Sequence, residues 1–171
     1  MALPKPPNMD VPDVRRSIVV PGPAESAFDV YTSYPAEWLP AAHRFLPGAH
    51  IVAFEPRVGG RFYERDADGT EATRGTITDW APPARLAVTW RIGPGWRPVL
   101  DDDHASVIVV EFSPAGPDAT EVTVTYTHLD RHGEMADTIR SAVEHSSPDD
   151  TLHRYAEAVA RHLGTWLPPV G

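Results

Sequence analysis

The chain has 171 residues, 42% hydrophobic and 23% charged, which suits one buried core and argues against global disorder. Its net charge of −9, with scattered arginines and Lys5 as the only lysine, argues against binding nucleic acid or an anionic membrane. The lack of cysteine excludes disulfides, thiolate zinc sites and a thiol nucleophile, and it fits a reducing cytoplasm.

Residues 1–13 predict a flexible proline-rich tail, without the apolar run of a signal peptide or membrane span. Residues 14–167 read as one domain. Val14–Val20 predicts a strand, stopped by Pro21-Gly22-Pro23, and Ala24–Thr32 a short helix with Ala24, Ala27, Phe28 and Tyr31 on one face. Tyr34–Leu39 predicts a helical turn presenting Trp38, followed by a loop holding His43 and Phe45. A run of strands follows: Ile51–Glu55, Arg61–Arg65, Thr70–Trp80, Arg85–Ile92, Ser106–Phe112 and Thr120–His128. Asp66-Ala67-Asp68-Gly69 is the strongest hairpin signal among them. Gly93–His104 is a loop containing Trp96, and its run Asp101-Asp102-Asp103-His104 reads as a solvated acidic turn.

The remainder is helical. Gly133–Glu144 carries Met135, Ile139, Ala142 and Val143 on one stripe. Ser147-Pro148-Asp149-Asp150 is a helix start, with a serine cap, proline in the first turn and acids at the N-terminal end. Leu152, Tyr155, Ala156, Val159, Leu163, Trp166 and Leu167 then recur at helical spacing for about four turns. Strands in a run followed by helices indicate an α+β fold with an antiparallel sheet. One long helix cannot cover so wide a sheet, so the sheet must curl around it and leave a hollow.

Several strings in this order carry a family resemblance: Arg57-Val58-Gly59-Gly60-Arg61-Phe62 with Asp68-Gly69, Gly75-Thr76-Ile77, Trp80 with Pro82-Pro83, and Arg85-Leu86 leading to Trp90. Glu111-Phe112, Thr120-Glu121-Val122 and Arg131-His132-Gly133-Glu134 complete the set. The chain resembles the family named for the C-terminal domain of the activator of Hsp90 ATPase, within the START-like (SRPBCC, Bet v 1-like) superfamily. The resemblance spans roughly residues 14–165 and implies a helix-grip fold around a deep cavity. Relatives in that superfamily bind lipids, sterols or polyketides, and some are cyclases or hydrolases. Two departures stand out. Thirteen residues before the first strand are too few for the extra N-terminal domain of the eukaryotic co-chaperone, and Ser146–Asp150 stands where many relatives have a Gly-Trp segment.

The expected ligand-lining set is aromatic: Trp38, Phe62, Trp90, Trp96, Phe112, Tyr126 and Tyr155, with Val159 beside them on the helix. Glu64 shares strand parity with Phe62 and is the one candidate catalytic group, as a polar anchor or general acid/base; the bland alternative is an edge carboxylate or one paired to an arginine. His128 shares parity with Tyr126 and is expected at the cavity mouth. His128, His132 and Glu134 leave a strand for a loop and do not make a zinc site; no metal or other cofactor is expected. No Gly-x-Ser-x-Gly elbow or phosphate-binding glycine loop occurs. The first reading is a binding protein for an apolar or lipid-like small molecule, acting as monomer or homodimer. The alternatives are an enzyme of cyclase, dehydratase or hydrolase type on the same cavity, or a chaperone-linked interaction module.

Overall fold

Alternation of β-branched and apolar residues with polar ones lays down the long strands, and proline- or glycine-rich turns separate them. The computed structural model describes residues 11–144 and 151–165. Strand β1 (Val14–Pro21) leads into α1 (Ala24–Ser33) and the single turn α2 (Pro35–Trp38). Strands β2 (Ala49–Phe54), β3 (Arg61–Asp66), β4 (Glu71–Ala81) and β5 (Arg85–Trp90) follow. A small ribbon, β6 (Ile92–Gly93) with β7 (Arg97–Pro98), precedes β8 (Ser106–Pro114) and β9 (Ala119–Thr127). A 3-10 segment (Leu129–Met135) then enters α3 (Ala136–Glu144), and α4 (Thr151–Thr165) closes the described chain. The proposed helix start at Ser147–Asp150, the Ser146–Asp150 departure, Trp166 and Leu167 lie outside the described residues, as does most of the expected tail.

The seven long strands form one antiparallel sheet in the order β1-β9-β8-β5-β4-β3-β2. Register shifts interrupt it at Ala49/Ile51, Phe62/Tyr63 and Ile77/Asp79. Each places an extra residue in one strand, which bends it and strengthens its twist. The sheet is a curled half-barrel, and α4 packs across its concave side: an α+β helix-grip fold. The β3–β4 turn is fixed by Asp66, whose carboxylate accepts the N–H groups of Asp68 (2.9 Å) and Thr70 (3.0 Å).

The apolar interior is divided. One cluster joins α1, α2 and α4 to the sheet through Phe28, Tyr31, Trp38, Phe54, Phe62, Phe112, Val122, Tyr155 and Val159. A second joins α3 and the 3-10 segment to the first strand and the β6 ribbon through Val14, Ile92, Leu129, Ile139 and Val143. Tyr126 packs against both. No described helix is long and apolar enough to cross a membrane.

Three local expectations change. Strand β5 stops at Trp90, and Ile92 starts the ribbon instead of extending the strand. The α3 helix begins at Ala136, not Gly133, because Gly133 (φ +62°, ψ −125°) breaks the helical path and only glycine adopts that conformation cheaply. Asp102 is not a solvated loop acid. It accepts Arg91 Nε–H (2.8 Å) and Thr89 Oγ1–H (2.7 Å), tying the loop after β7 to the sheet. Burial pulls the Asp102 carboxyl up, but those hydrogen bonds outweigh it and hold the group below its ordinary value.

Candidate functional site

Between the two clusters lies a cavity of about 440 Å³, within the range of small-molecule sites. The strands supply its floor through Phe54, Phe62, Val88, Ile108 and Val124. Helix α4 supplies Leu152 and Tyr155, and α3 supplies Ala142 and Val143. Tyr31 of α1, Trp38 of α2 and the segment Leu39–Phe45 complete the enclosure.

One wall is a stack of rings. Tyr31 lies on Trp38 with centroids 4.5 Å apart and planes 26° from parallel; Trp38 lies over Phe62 at 6.2 Å and 27°; Phe62 stacks on Phe54 at 4.0 Å and 8°. The Trp38 indole N–H donates to the Tyr31 carbonyl (3.0 Å), which fixes the ring plane. Trp90 and Tyr126 pair at 5.9 Å as a second aromatic element. Trp96 also lines the cavity, 45% exposed, from a backbone at φ +60° that is uncommon for a bulky residue.

The polar groups depend on a bulge. Phe62 faces Gly75 and Tyr63 faces Thr73, so Arg74 is the extra residue of β4 and its side chain is re-aimed inward. Strand β5 crosses so close at this point that a Cβ on Gly75 would lie 1.7 Å from the Thr89 carbonyl oxygen; only glycine fits. Arg74 donates to the Glu64 carboxylate (2.5 Å) and the His43 carbonyl (3.1 Å), and its guanidinium lies over the rings of Phe45 (4.7 Å) and Phe62 (5.5 Å). The other bonds of Glu64 come from the Phe45 N–H (2.9 Å) and the Leu46 N–H (3.0 Å). Glu64 is wholly buried, as parity with Phe62 requires, yet it does not line the cavity. It pins the 43–46 segment and neutralises Arg74.

Arg44 holds the same segment from its other side. It donates to the carbonyls of Ala49 (2.8 Å), Ala36 (2.9 Å) and Leu39 (3.1 Å). Among the described residues its buried Nε has no acceptor. Burial first, and then the like charge of Arg44, pull the Arg74 guanidinium below its ordinary value against the attraction of Glu64. His43 lines the cavity with an imidazole held below its usual value by burial and then by Arg74 and Arg154, so it is neutral at pH 7. Burial also raises the Tyr31 and Tyr155 phenols, which stay protonated. Tyr155 spends its O–H on the Ala27 carbonyl (2.6 Å).

Of the residues expected to contact a ligand, Trp38, Phe62, Trp90, Trp96, Tyr126 and Tyr155 line the cavity. Phe112 does not: it is packed edge-on against Phe28 (5.3 Å) and Tyr31 (5.9 Å) in the core. Val159 is buried in the same cluster, one turn beyond Tyr155. His128 is exposed and does not line the cavity; it follows β9 in a left-handed conformation (φ +56°). Tyr31, His43, Arg44, Arg74 and Arg16 line the cavity without having been expected there. Tyr31 was legible on the apolar face of its helix; Arg74 was hidden because a bulge inverts the strand parity from which its direction would be read.

The family described as activator of Hsp90 ATPase homolog 1-like protein matches residues 22–155. Among solved structures, an anthrahydroquino-Gama-pyrone synthase, Txn09, complexed with SUM, is 46% identical over 90% of this chain and 99% of its own, with a TM-score of 0.62. CalC, a self-sacrificing resistance protein from Micromonospora echinospora, is 28% identical over 88% and 96% of the two chains, with a TM-score of 0.63. Protein NE0264 from Nitrosomonas europaea shares the fold at 18% identity, 89% and 96% coverage and a TM-score of 0.62. Comparison with curated proteins returned no match. The curled sheet gripping α4 is that of the START-like superfamily, and the chain belongs to the activator of Hsp90 ATPase homolog 1-like family.

Proposed function

We propose that the chain binds a planar polycyclic aromatic molecule in the cavity between the curled sheet and α4. The observation that carries this reading is the stack Tyr31–Trp38–Phe62–Phe54 along one side of a 440 Å³ hollow. Flat rings gain most from a flat apolar wall, through burial of carbon at about 25 cal/mol per Å² and offset stacking. The 46% identity to a protein named for an anthrahydroquinone-pyrone supports the same ligand shape. Thermal unfolding of the full chain with an anthraquinone and with an aliphatic acid of equal carbon count tests it. The anthraquinone raises Tm in a dose-dependent way and the aliphatic acid does not. Equal or absent shifts would remove the reading.

A second reading, a cyclase-type enzyme on the same cavity, draws on that relative's being a synthase and on His43. No hydrogen bond from the described residues occupies the His43 imidazole, which is neutral at pH 7 and next to cationic Arg74. In this role His43 accepts a proton from a ligand O–H, and the arginines hold the resulting oxyanion. Glu64 is unsuited to the task, because both its oxygens are committed to the protein. Turnover of a pyrone precursor by the native chain but not by His43→Phe, with ligand binding retained, would establish this role.

A further inference from the structure

Two side chains on the aromatic wall carry hydrogen-bonding groups that the described residues leave unused. Arg74 and Tyr31 both line the cavity and are only 7% and 8% exposed. Both side-chain hydrogen bonds of Arg74 leave from Nη1, to Glu64 and to the His43 carbonyl. Its Nε–H and Nη2–H have no acceptor among the described residues. These two donors point the same way from one edge of the planar guanidinium, a fork suited to oxygen acceptors. The Tyr31 hydroxyl likewise has no partner among the described residues. None of these three groups is sealed off: the described polar atoms that are both unbonded and closed to access belong to Ser26, Arg44 and His132. The unused groups of Arg74 and Tyr31 therefore open onto the hollow that both residues line.

The two residues also belong to one wall. Tyr31 stacks on Trp38, Trp38 lies over Phe62, and the Arg74 guanidinium sits 5.5 Å from the Phe62 ring. The charge of Arg74 reaches the Tyr31 phenol, opposing the rise that burial causes. A flat molecule laid along these rings has donors at its edge. An oxygen acceptor gives up its bonds to water on entering such a hollow, so it is disfavoured there unless donors meet it. A hydrocarbon in the same place would leave the N–H and O–H groups of the wall without partners. Glu64 already supplies the counter-charge of Arg74, so the open edge suits a neutral acceptor. We infer that the cavity recognises its planar ligand by a carbonyl oxygen of the ring system, which accepts hydrogen bonds from the Nε–Nη2 edge of Arg74 and from the Tyr31 hydroxyl. The ligand class is a polycyclic ketone or quinone, not a plain aromatic hydrocarbon. This inference rests on the aromatic-ligand reading and deepens it: the rings fix the plane of the ligand, and the two donors fix which edge faces Arg74.

The probes are 9-fluorenone and fluorene, two flat tricycles that differ by one carbonyl oxygen. With the full chain, fluorenone is expected to bind about tenfold more tightly, although fluorene is the more apolar of the two. The infrared C=O stretch of bound fluorenone is expected below its value in a hydrocarbon solvent. Tyr31→Phe removes a hydroxyl that no described residue bonds. It should lower fluorenone affinity about three- to tenfold, move the stretch upward and leave fluorene binding unchanged. Arg74→Lys keeps a positive charge beside Glu64 but loses the fork, and it should have the same effects; if it does not fold, Tyr31→Phe keeps the test decisive. Fluorene binding as tightly as fluorenone, or an unchanged preference and stretch in either folded variant, would overturn the inference and leave the aromatic-ligand reading standing. Failure of both probes to bind would overturn both.

Discussion

Two residues show how tightly the concave face is specified. Gly75 has no room for a side chain, because Thr89 of the crossing strand occupies the place of its Cβ. Gly75→Ala must therefore push β4 from β5, and urea unfolding should register a loss of about 3 kcal/mol or more, the upper end for overpacking. A loss under about 1 kcal/mol would mean the crossing is looser than described. Glu64 and Arg74 form the second constraint. Glu64→Gln leaves a buried guanidinium without its counter-charge and is expected to cost about 3–5 kcal/mol. The double change Glu64→Gln with Arg74→Met should cost less than Glu64→Gln alone, since it removes the orphaned charge as well. An additive double mutant would refute the pairing. This outcome differs from that of a catalytic carboxylate, whose amide variant folds normally and loses only turnover.

Elements were easier to foresee than their exact ends. The strands, the helical turn presenting Trp38 and the long C-terminal helix follow from period-2 and period-3.6 patterns that tertiary packing then reinforced. Bulges and breaks were not visible, because each depends on a neighbouring strand or on one residue's backbone angles; the shift that releases Arg74 and the stop at Gly133 are the cases that mattered. Helix α4 meets α1 through the Tyr155 hydroxyl on the Ala27 carbonyl, a second bond to an acceptor within α1, so Tyr155→Phe should cost about 0.5–1.5 kcal/mol, the net value of one hydrogen bond. An unchanged denaturation midpoint would show that water replaces it. The 3-10 segment is held to β8 by His132, whose Nε2 lies 2.7 Å from Ser106 Oγ. Burial depresses the His132 imidazole below its ordinary 6.5, against the opposing pull of the Ile92 backbone and Asp130. Between that depressed value and 6.5 the unfolded chain binds more protons than the folded one, so stability is complete above pH 6.5 and falls as the pH drops below it. His43 acts in the same direction. The fall in Tm from pH 7.5 to 5 should be shallower in His132→Phe; an unchanged slope would assign the effect elsewhere.

At the scale of the molecule, the hollow exists because the interior is built as two apolar clusters. Helix α4 with α1 fills one end of the curled sheet, α3 fills the other, and Tyr126 packs against both. The breadth of the sheet relative to one helix was readable in the chain order, and with it the aromatic character of the lining. Arg74 was not readable there, because the bulge inverts the parity of its strand, and Arg44 sits in a loop without a period; Arg16 shares parity with buried Val14 and Val20 on unbulged β1 and was open to the same reading as the aromatic set. On the Trp38–Phe62 side of the cavity rings stack on rings, and on the Trp96 side a half-exposed indole sits in a glycine- and proline-rich loop. A crystal structure of the full chain with 1,2-dihydroxyanthraquinone is the most direct test of this account. It predicts density for a flat molecule between the two clusters, its plane along the Tyr31–Trp38–Phe62 stack and an oxygen within hydrogen-bond reach of an arginine. Side chains collapsed across the hollow, or a ligand seated only on the outer face of the sheet, would contradict it.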